Sequence, residues 1–226
     1  MKLKAIIFDL DGTLVDSTQS HVLAWLEASR IFGLRNIKAD DVMKLMGKTS
    51  HDIALSLIRL ARSNEEMTEK MAKLKDRLFS EKYASSVKPI DCSHDLVLEF
   101  KKRKLKICVV SSNPRDIIRK MLNAANLISL VDVIVGQDEV KEGKPSPEPI
   151  ILALKRLSIK SENAIVIGDS IYDIIAARKA NVKAIGVNEE ENKRKEMIKY
   201  GASMVFSSLC SLLNYIRSNV NWYELL

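Results

Sequence analysis

The chain has 226 residues, 46% of them hydrophobic and 29% charged, an ordinary globular make-up that excludes a disordered chain or a fibre. That length permits one domain or two small ones, and no apolar run is long enough to span a bilayer. The formal net charge of +7 raises the question of nucleic acid, but the one dense basic run, Lys101-Lys102-Arg103-Lys104-Leu105-Lys106, has no interleaved aromatic residues to stack on bases. It falls where a helix is expected to end, and cations suit a helix C-terminus. A solvated basic face that attracts anionic substrates is therefore expected, with no nucleic-acid or membrane partner.

Residues 4–8 read as a buried strand rather than a secretory leader, because Asp9 and Asp11 interrupt the apolar stretch too early. From about residue 17 to 86 no strand pattern occurs. Residues 20–32, 40–45, 50–61 and 65–83 read as amphipathic helices, with Gly33 a stop signal. Strand patterns resume at 106–110, 131–135, 164–167, 183–187 and 204–206, with helical patterns between them. Asn113-Pro114 and Ser146-Pro147-Glu148 mark helix starts. Ser170 and Asp173 have capping-box spacing, and Gly201 is a second stop. Apolar strands alternating with helices predict an α/β fold, a doubly wound parallel sheet with right-handed crossovers. The helical stretch is read as an insertion after strand one. The expected division is 1–16 and 89–226 for the α/β core, and 17–88 for a small helical cap domain.

Cys92, Cys108 and Cys210 are far apart and odd in number, and no pair has metal-site or redox spacing. Cys108, inside an apolar run, is expected to be packing. A reducing cytoplasm suits this usage.

Ligands of an open parallel sheet bind beyond the carboxyl ends of its strands. Asp9-Leu10-Asp11-Gly12-Thr13 follows the first predicted strand and Ser111-Ser112-Asn113 the second. Gly143-Lys144-Pro145 lies a few residues after the third, and Gly168-Asp169-Ser170, then Asp173, follow the fourth. Carboxylates gathered in this way repel one another unless a cation joins them. Oxygen donors favour Mg²⁺, which often shares a substrate phosphate oxygen. A lysine and a serine beside them supply charge and a donor for the other phosphate oxygens. The set suits phosphoryl transfer, which needs mainly positioning and charge neutralisation.

These four clusters, in this order, resemble the four motifs of the haloacid dehalogenase superfamily. Asp9-Leu10-Asp11-Gly12-Thr13-Leu14-Val15-Asp16-Ser17 is similar to the first and Val109-Val110-Ser111-Ser112-Asn113 to the second. Gly143-Lys144-Pro145-Ser146-Pro147 is similar to the third and Gly168-Asp169-Ser170-Ile171-Tyr172-Asp173 to the fourth. The resemblance is to the capped phosphatase branch, the phosphoglycolate phosphatase and β-phosphoglucomutase-like members. It implies that Asp9 attacks phosphorus and forms an aspartyl-phosphate. Asp11 would protonate the leaving alkoxide and then deprotonate the attacking water. Asp9, the backbone carbonyl of Asp11, and Asp169 would hold Mg²⁺, with Asp173 near the metal directly or through water. Ser111 and Lys144 would grip the phosphoryl oxygens. Thr13, Ser112 and Asn113, with His21 and Lys48 of the cap, are the expected substrate contacts.

Bland readings stand beside some of these. Asp173 also completes a capping box, Ser111 also suits a helix cap, and Thr13 also suits packing. His21 is equally a surface position, and Gly47-Lys48-Thr49 equally a plain connection. The expected function is a Mg²⁺-dependent phosphatase acting on a small phosphorylated metabolite. A sugar-phosphate mutase is the nearest alternative, weakened because the cap loop carries lysine where such mutases carry arginine. A regulatory protein on the same fold is the second alternative. Nothing in the sequence fixes the oligomeric state.

Overall fold

The computed structural model of the chain describes residues 3–46, 48–219 and 222–225. Strand β1 (Ala5–Phe8) is followed by a short strand, β2 (Val15–Asp16). Four helices come next: α1 (Thr18–Ile31), α2 (Ala39–Met43), α3 (Ser50–Leu60) and α4 (Thr68–Leu78). A second short strand, β3 (Lys88–Pro89), pairs with β2. Then alternate α5 (Ser93–Lys102), β4 (Lys106–Val110), α6 (Arg115–Ala124), β5 (Val133–Val135), α7 (Glu148–Leu157) and β6 (Ala164–Gly168). The chain finishes with α8 (Ile171–Lys179), β7 (Lys183–Val187), α9 (Glu191–Tyr200), β8 (Met204–Phe206) and α10 (Leu209–Ser218).

Six strands form one sheet in the order β5-β4-β1-β6-β7-β8, and every neighbouring pair is parallel. The strand order reverses at β1, the place where a doubly wound sheet opens a crevice beyond its carboxyl ends. Helices covering both faces explain why β1 reads Ala-Ile-Ile-Phe with every side chain buried. The edge strand β8 is only half-buried. The α/β core packs Ile7, Cys108, Val110, Val166, Ile174 and Met197 together. No helix among the described residues is long and apolar enough to cross a membrane.

The chain divides into two compact units, residues 1–16 with 89–226, and residues 17–88. Apart from Lys88 of β3, the regular elements described in the second are all helical, and it has its own apolar cluster, including Trp25, Leu57, Ile58 and Met71. It also buries a cation: Lys75 Nζ lies 3.1 Å from Asp76 Oδ1, 5.3 Å from the Trp25 ring centroid and 5.5 Å from that of Phe79. Desolvating an ammonium is costly, and the carboxylate and the two ring faces offset that cost.

Some local expectations shift. Residues 65–83 are not one helix but a 3₁₀ turn (Glu65–Met67), α4, and a π-helical turn (Phe79–Tyr83). Strand 131–135 begins only at Val133, after a 3₁₀ turn at Ile128–Leu130. Pro114 and Pro147 occupy the N-caps of α6 and α7 rather than their first helical positions. Gly33 and Gly201 both adopt positive φ just past helix ends, +70° and +105°, where only glycine escapes the Cβ clash. The basic run does cross from α5 into β4, and half of it is paired internally: Lys101 and Lys106 with Asp132, Arg103 with Glu99.

The cysteine reading needs correction. Cys92 and Cys210 form a disulfide across 118 residues of sequence, a pairing invisible to any rule based on spacing. Cys108 is the free one, buried in the sheet. The argument from cysteine usage to a reducing compartment therefore loses its basis.

Candidate active site

Asp9 is the first residue beyond β1, and its backbone N–H donates to the carbonyl of Ile167 on β6 at 2.9 Å. That bond pins the central strand's end to its neighbour and points Asp9 into the crevice side of the sheet. Asp9 is 7% exposed and Asp173, in the first turn of α8, 2% exposed. Lys144 bridges them. Its Nζ donates to Asp9 Oδ1 and to Asp173 Oδ1, the latter at 2.6 Å. Asp169 follows β6 directly and completes the acidic group. Carboxylate oxygens of Asp9, Asp169 and Asp173 lie within 4.8 Å of one another.

Small residues let the loops approach. Gly12 has φ +79°, and a Cβ there would overlap the Asp169 carboxylate. A Cβ at Gly168 would collide with Asp173 in the same way. Thr13 Oγ1 lies 3.2 Å from Asp169 Oδ1 and 3.4 Å from Asp9 Oδ2. Asp173 also caps α8: its Oδ2 accepts from the Ser170 N–H at 3.1 Å and from Ser170 Oγ at 2.6 Å. Asp173 therefore makes the capping box through Oδ2 while its Oδ1 faces Lys144.

A second cluster holds Asp11. Its Oδ2 accepts from Ser111 Oγ at 3.1 Å and from Asn113 Nδ2 at 2.7 Å. The Asn113 N–H in turn donates to Ser111 Oγ at 3.1 Å. Among the described residues, Asp11 is not one of the three clustered carboxylates; the part expected of it toward a metal used its backbone carbonyl. Ser112 is exposed on the same loop.

Three carboxylates facing one ammonium leave excess negative charge in a water-poor place. Burial pushes the Asp9 carboxyl well above the usual range, against the pull of Lys144, and Asp173, Asp169 and Asp11 push it further. Burial, with the neighbouring Asp173, raises Asp169 to about 7. Burial disfavours charged Lys144, but Asp173 and Asp9 outweigh it, so its proton is held more tightly than usual. Crowded carboxylates with raised proton affinity are the electrostatic mark of a site that takes a cation. An all-oxygen set of three carboxylates matches a hard divalent cation rather than a soft metal.

Two expected contacts belong to the helical unit. His21 is buried in α1 and stacks on Phe79, centroids 3.9 Å apart and planes 4° from parallel. Lys48 is exposed, and Gly47 of the same loop lies outside the described residues. One residue of the site went unnoticed in the sequence. Asn188, just beyond β7, donates from Nδ2 to the Asp169 backbone carbonyl at 2.9 Å, while its Oδ1 accepts from the Glu190 N–H at 2.9 Å. It braces the Asp169 loop. Its place directly after a predicted strand was a signal of the same kind as the others.

Known proteins share this sequence pattern and fold. Pyrophosphatase PpaX of Bacillus mycoides is 27% identical over 221 residues, 98% of this chain and 100% of that protein. A hydrolase from Pseudomonas syringae is 28% identical with a TM-score of 0.78, over 96% of this chain and 98% of that one. The β-phosphoglucomutase of Clostridium difficile shares the fold at 24% identity, with a TM-score of 0.79 over 99% of this chain and all of that one. Residues 6–187 match the family described as haloacid dehalogenase-like hydrolase, so the span from β1 to β7 is accounted for and the chain belongs to that family.

Proposed function

We propose that this hydrolase is a Mg²⁺-dependent phosphatase acting on a small phosphorylated metabolite through an aspartyl-phosphate on Asp9. The observation that carries the reading is the division of labour among the acids. Asp9, Asp169 and Asp173 cluster around Lys144, whereas Asp11 stands apart, held by Ser111 and Asn113. One acid placed to attack and a second, separately held acid placed to handle a proton are what a two-step phosphoryl transfer requires.

In this reading Asp9 attacks phosphorus, and the bond to the leaving oxygen breaks as Asp11 gives that oxygen its proton. Asp11 then takes a proton from the water that hydrolyses the acyl phosphate. Lys144 offsets charge on the phosphoryl oxygens. Ser111 has a double task, since the hydroxyl expected to meet phosphate also orients Asp11. Asp9, Asp169 and the Asp11 carbonyl, with Asp173 close by, would hold the metal. When bound, Mg²⁺ supplies positive charge that lets Asp9 stay ionised and polarises the phosphoryl group.

Pyrophosphate is a second substrate reading, supported by the relative named for that activity. A mutase is a third, supported by the shared fold alone. One assay separates them: phosphate release from a panel of phosphorylated metabolites and pyrophosphate, with Mg²⁺ and with excess EDTA, in the wild type and in Asp9→Asn. Metal-dependent release that vanishes in the variant supports the phosphatase and ranks its substrates. Interconversion of sugar phosphates without phosphate release would replace it with the mutase. A variant that keeps wild-type turnover would remove the covalent step.

A further inference from the structure

The Cys92–Cys210 pair sits where a reversible bond would have consequences. Both residues belong to the α/β unit, with Cα atoms 5.1 Å apart and a sequence separation of 118. Cys92 comes three residues after Pro89, the end of β3, where the chain re-enters that unit from the helical one. Cys210 lies in the first turn of α10. The disulfide therefore clamps the re-entry segment to α10. On its other side this segment is tied by the Ile90 N–H, which donates to the Leu14 carbonyl at 3.0 Å.

Three features make the bond one that small molecules reach and that the segment is ready to release. Both cysteines are partly buried rather than fully enclosed. Cys92 lies on an open surface hollow of about 230 Å³ together with Pro89, Ile90, Asp91, Ser93 and His94. The local conformation there is also unfavourable. Cys92 has φ +64°, a left-handed conformation that a side-chain-bearing residue adopts at a cost. Ser93 Oγ beside it is buried without a hydrogen-bond partner. Cys108 offers a contrast, being buried in β4 with its thiol pushed far up by desolvation, and so it is no competitor for exchange.

We propose that Cys92–Cys210 is a redox modification site, opened and closed by small thiols and disulfides, whose state sets the mobility of the re-entry segment. A small thiolate attacks one sulfur, the S–S bond breaks, and a mixed disulfide forms as the other cysteine leaves as a thiolate. A second small thiolate attacks the sulfur of the first, so a small disulfide departs and the remaining cysteine is released as a thiolate. Two small thiols become one small disulfide, and the protein gains two thiols with the two electrons and two protons. Opening removes the clamp, lets Cys92 relax out of the left-handed region and frees residues 88–93. Closing restricts the unfolded chain through a long loop and so also stabilises the fold.

The test uses the full chain. One sample is equilibrated with oxidised glutathione and another with dithiothreitol, and both are desalted. Thiols are counted with a maleimide under native conditions, and hydrogen exchange and Tm are measured. The expected result is no labelling when oxidised and two labels when reduced, with Cys108 reacting only in denaturant. Reduction is expected to speed amide exchange in 88–93 and the start of α10, and to lower Tm by about 5–15 °C. The Cys92→Ser/Cys210→Ser protein should match the reduced wild type and ignore both reagents. Two labels after glutathione treatment, or reduction that leaves exchange and Tm unchanged, would overturn the proposal. Because reduced wild type is measured directly, a misfolded double variant does not obscure the result.

Discussion

Asp9, Asp169 and Asp173 crowd around a single lysine, and each consequence of that imbalance can be measured. Asp169 has a proton affinity near 7 against an ordinary 3.8, so the folded protein binds that proton more tightly than the unfolded chain does. Without metal, stability contributed here is present at low pH and is lost as pH rises from about 4 to about 7. Asp9 shifts in the same direction and adds to the loss. Mg²⁺ binding should cancel the repulsion, so the rise in Tm on adding Mg²⁺ should be small at pH 5 and larger at pH 8. An equal rise at both would mean that these acids are not the metal's ligands. Asp9→Asn removes one repelling charge, so turnover should vanish while the metal-free Tm holds or rises. Asp11→Asn should slow turnover by about 10²–10⁴-fold, the usual worth of a general acid–base, with both half-reactions affected in single-turnover assays. The acids, Lys144 and Ser111 were legible because each follows a predicted strand, and sheet topology brings strand ends together. The Ser111–Asp11 bond and the Asn188 brace were not legible, since each depends on how two loops approach in space.

The strand pattern survives from sequence to structure better than the helix pattern does. Residues 106–110, 183–187 and 204–206 form strands as read; in the first two, every residue after the leading lysine is buried and apolar or small, the run a covered parallel strand requires. Residues 65–83 keep one helical periodicity, yet the backbone changes from 3₁₀ to α to π along them. Side-chain pattern alone cannot register that change. The disulfide is the extreme case, a contact between two elements that periodicity never couples. Helix starts are more local, and α3 shows what one is worth. Thr49 caps it, Oγ1 accepting from the Asp52 N–H at 3.1 Å. Thr49→Ala should cost about 1 kcal/mol, a loss of about 2–4 °C in Tm for a chain of this size. Thr49→Ser, which keeps the acceptor, should recover most of it in the same melting experiment.

At the scale of the molecule, the two apolar clusters have no residue in common. Every buried member of one lies in the α/β unit, and every buried member of the other lies between residues 17 and 88. The chain leaves the α/β unit after β2 and returns through β3, and these two short strands are paired. A short turn can therefore close the gap that removal of residues 17–88 would leave, at little entropic cost. All three clustered acids, Lys144, Asp11 and both disulfide cysteines remain in what is left. A variant with 17–88 replaced by a few Gly and Ser residues should thus fold cooperatively, as read by circular dichroism. It should also keep a Mg²⁺-dependent rise in Tm that Asp169→Asn diminishes. Selective turnover of the preferred metabolite should fall sharply, because His21 and Lys48 go with the excised unit. If the shortened protein is unfolded, the α/β unit borrows stability from the helical one. If it folds but no longer responds to Mg²⁺, residues outside 1–16 and 89–226 help to hold the metal.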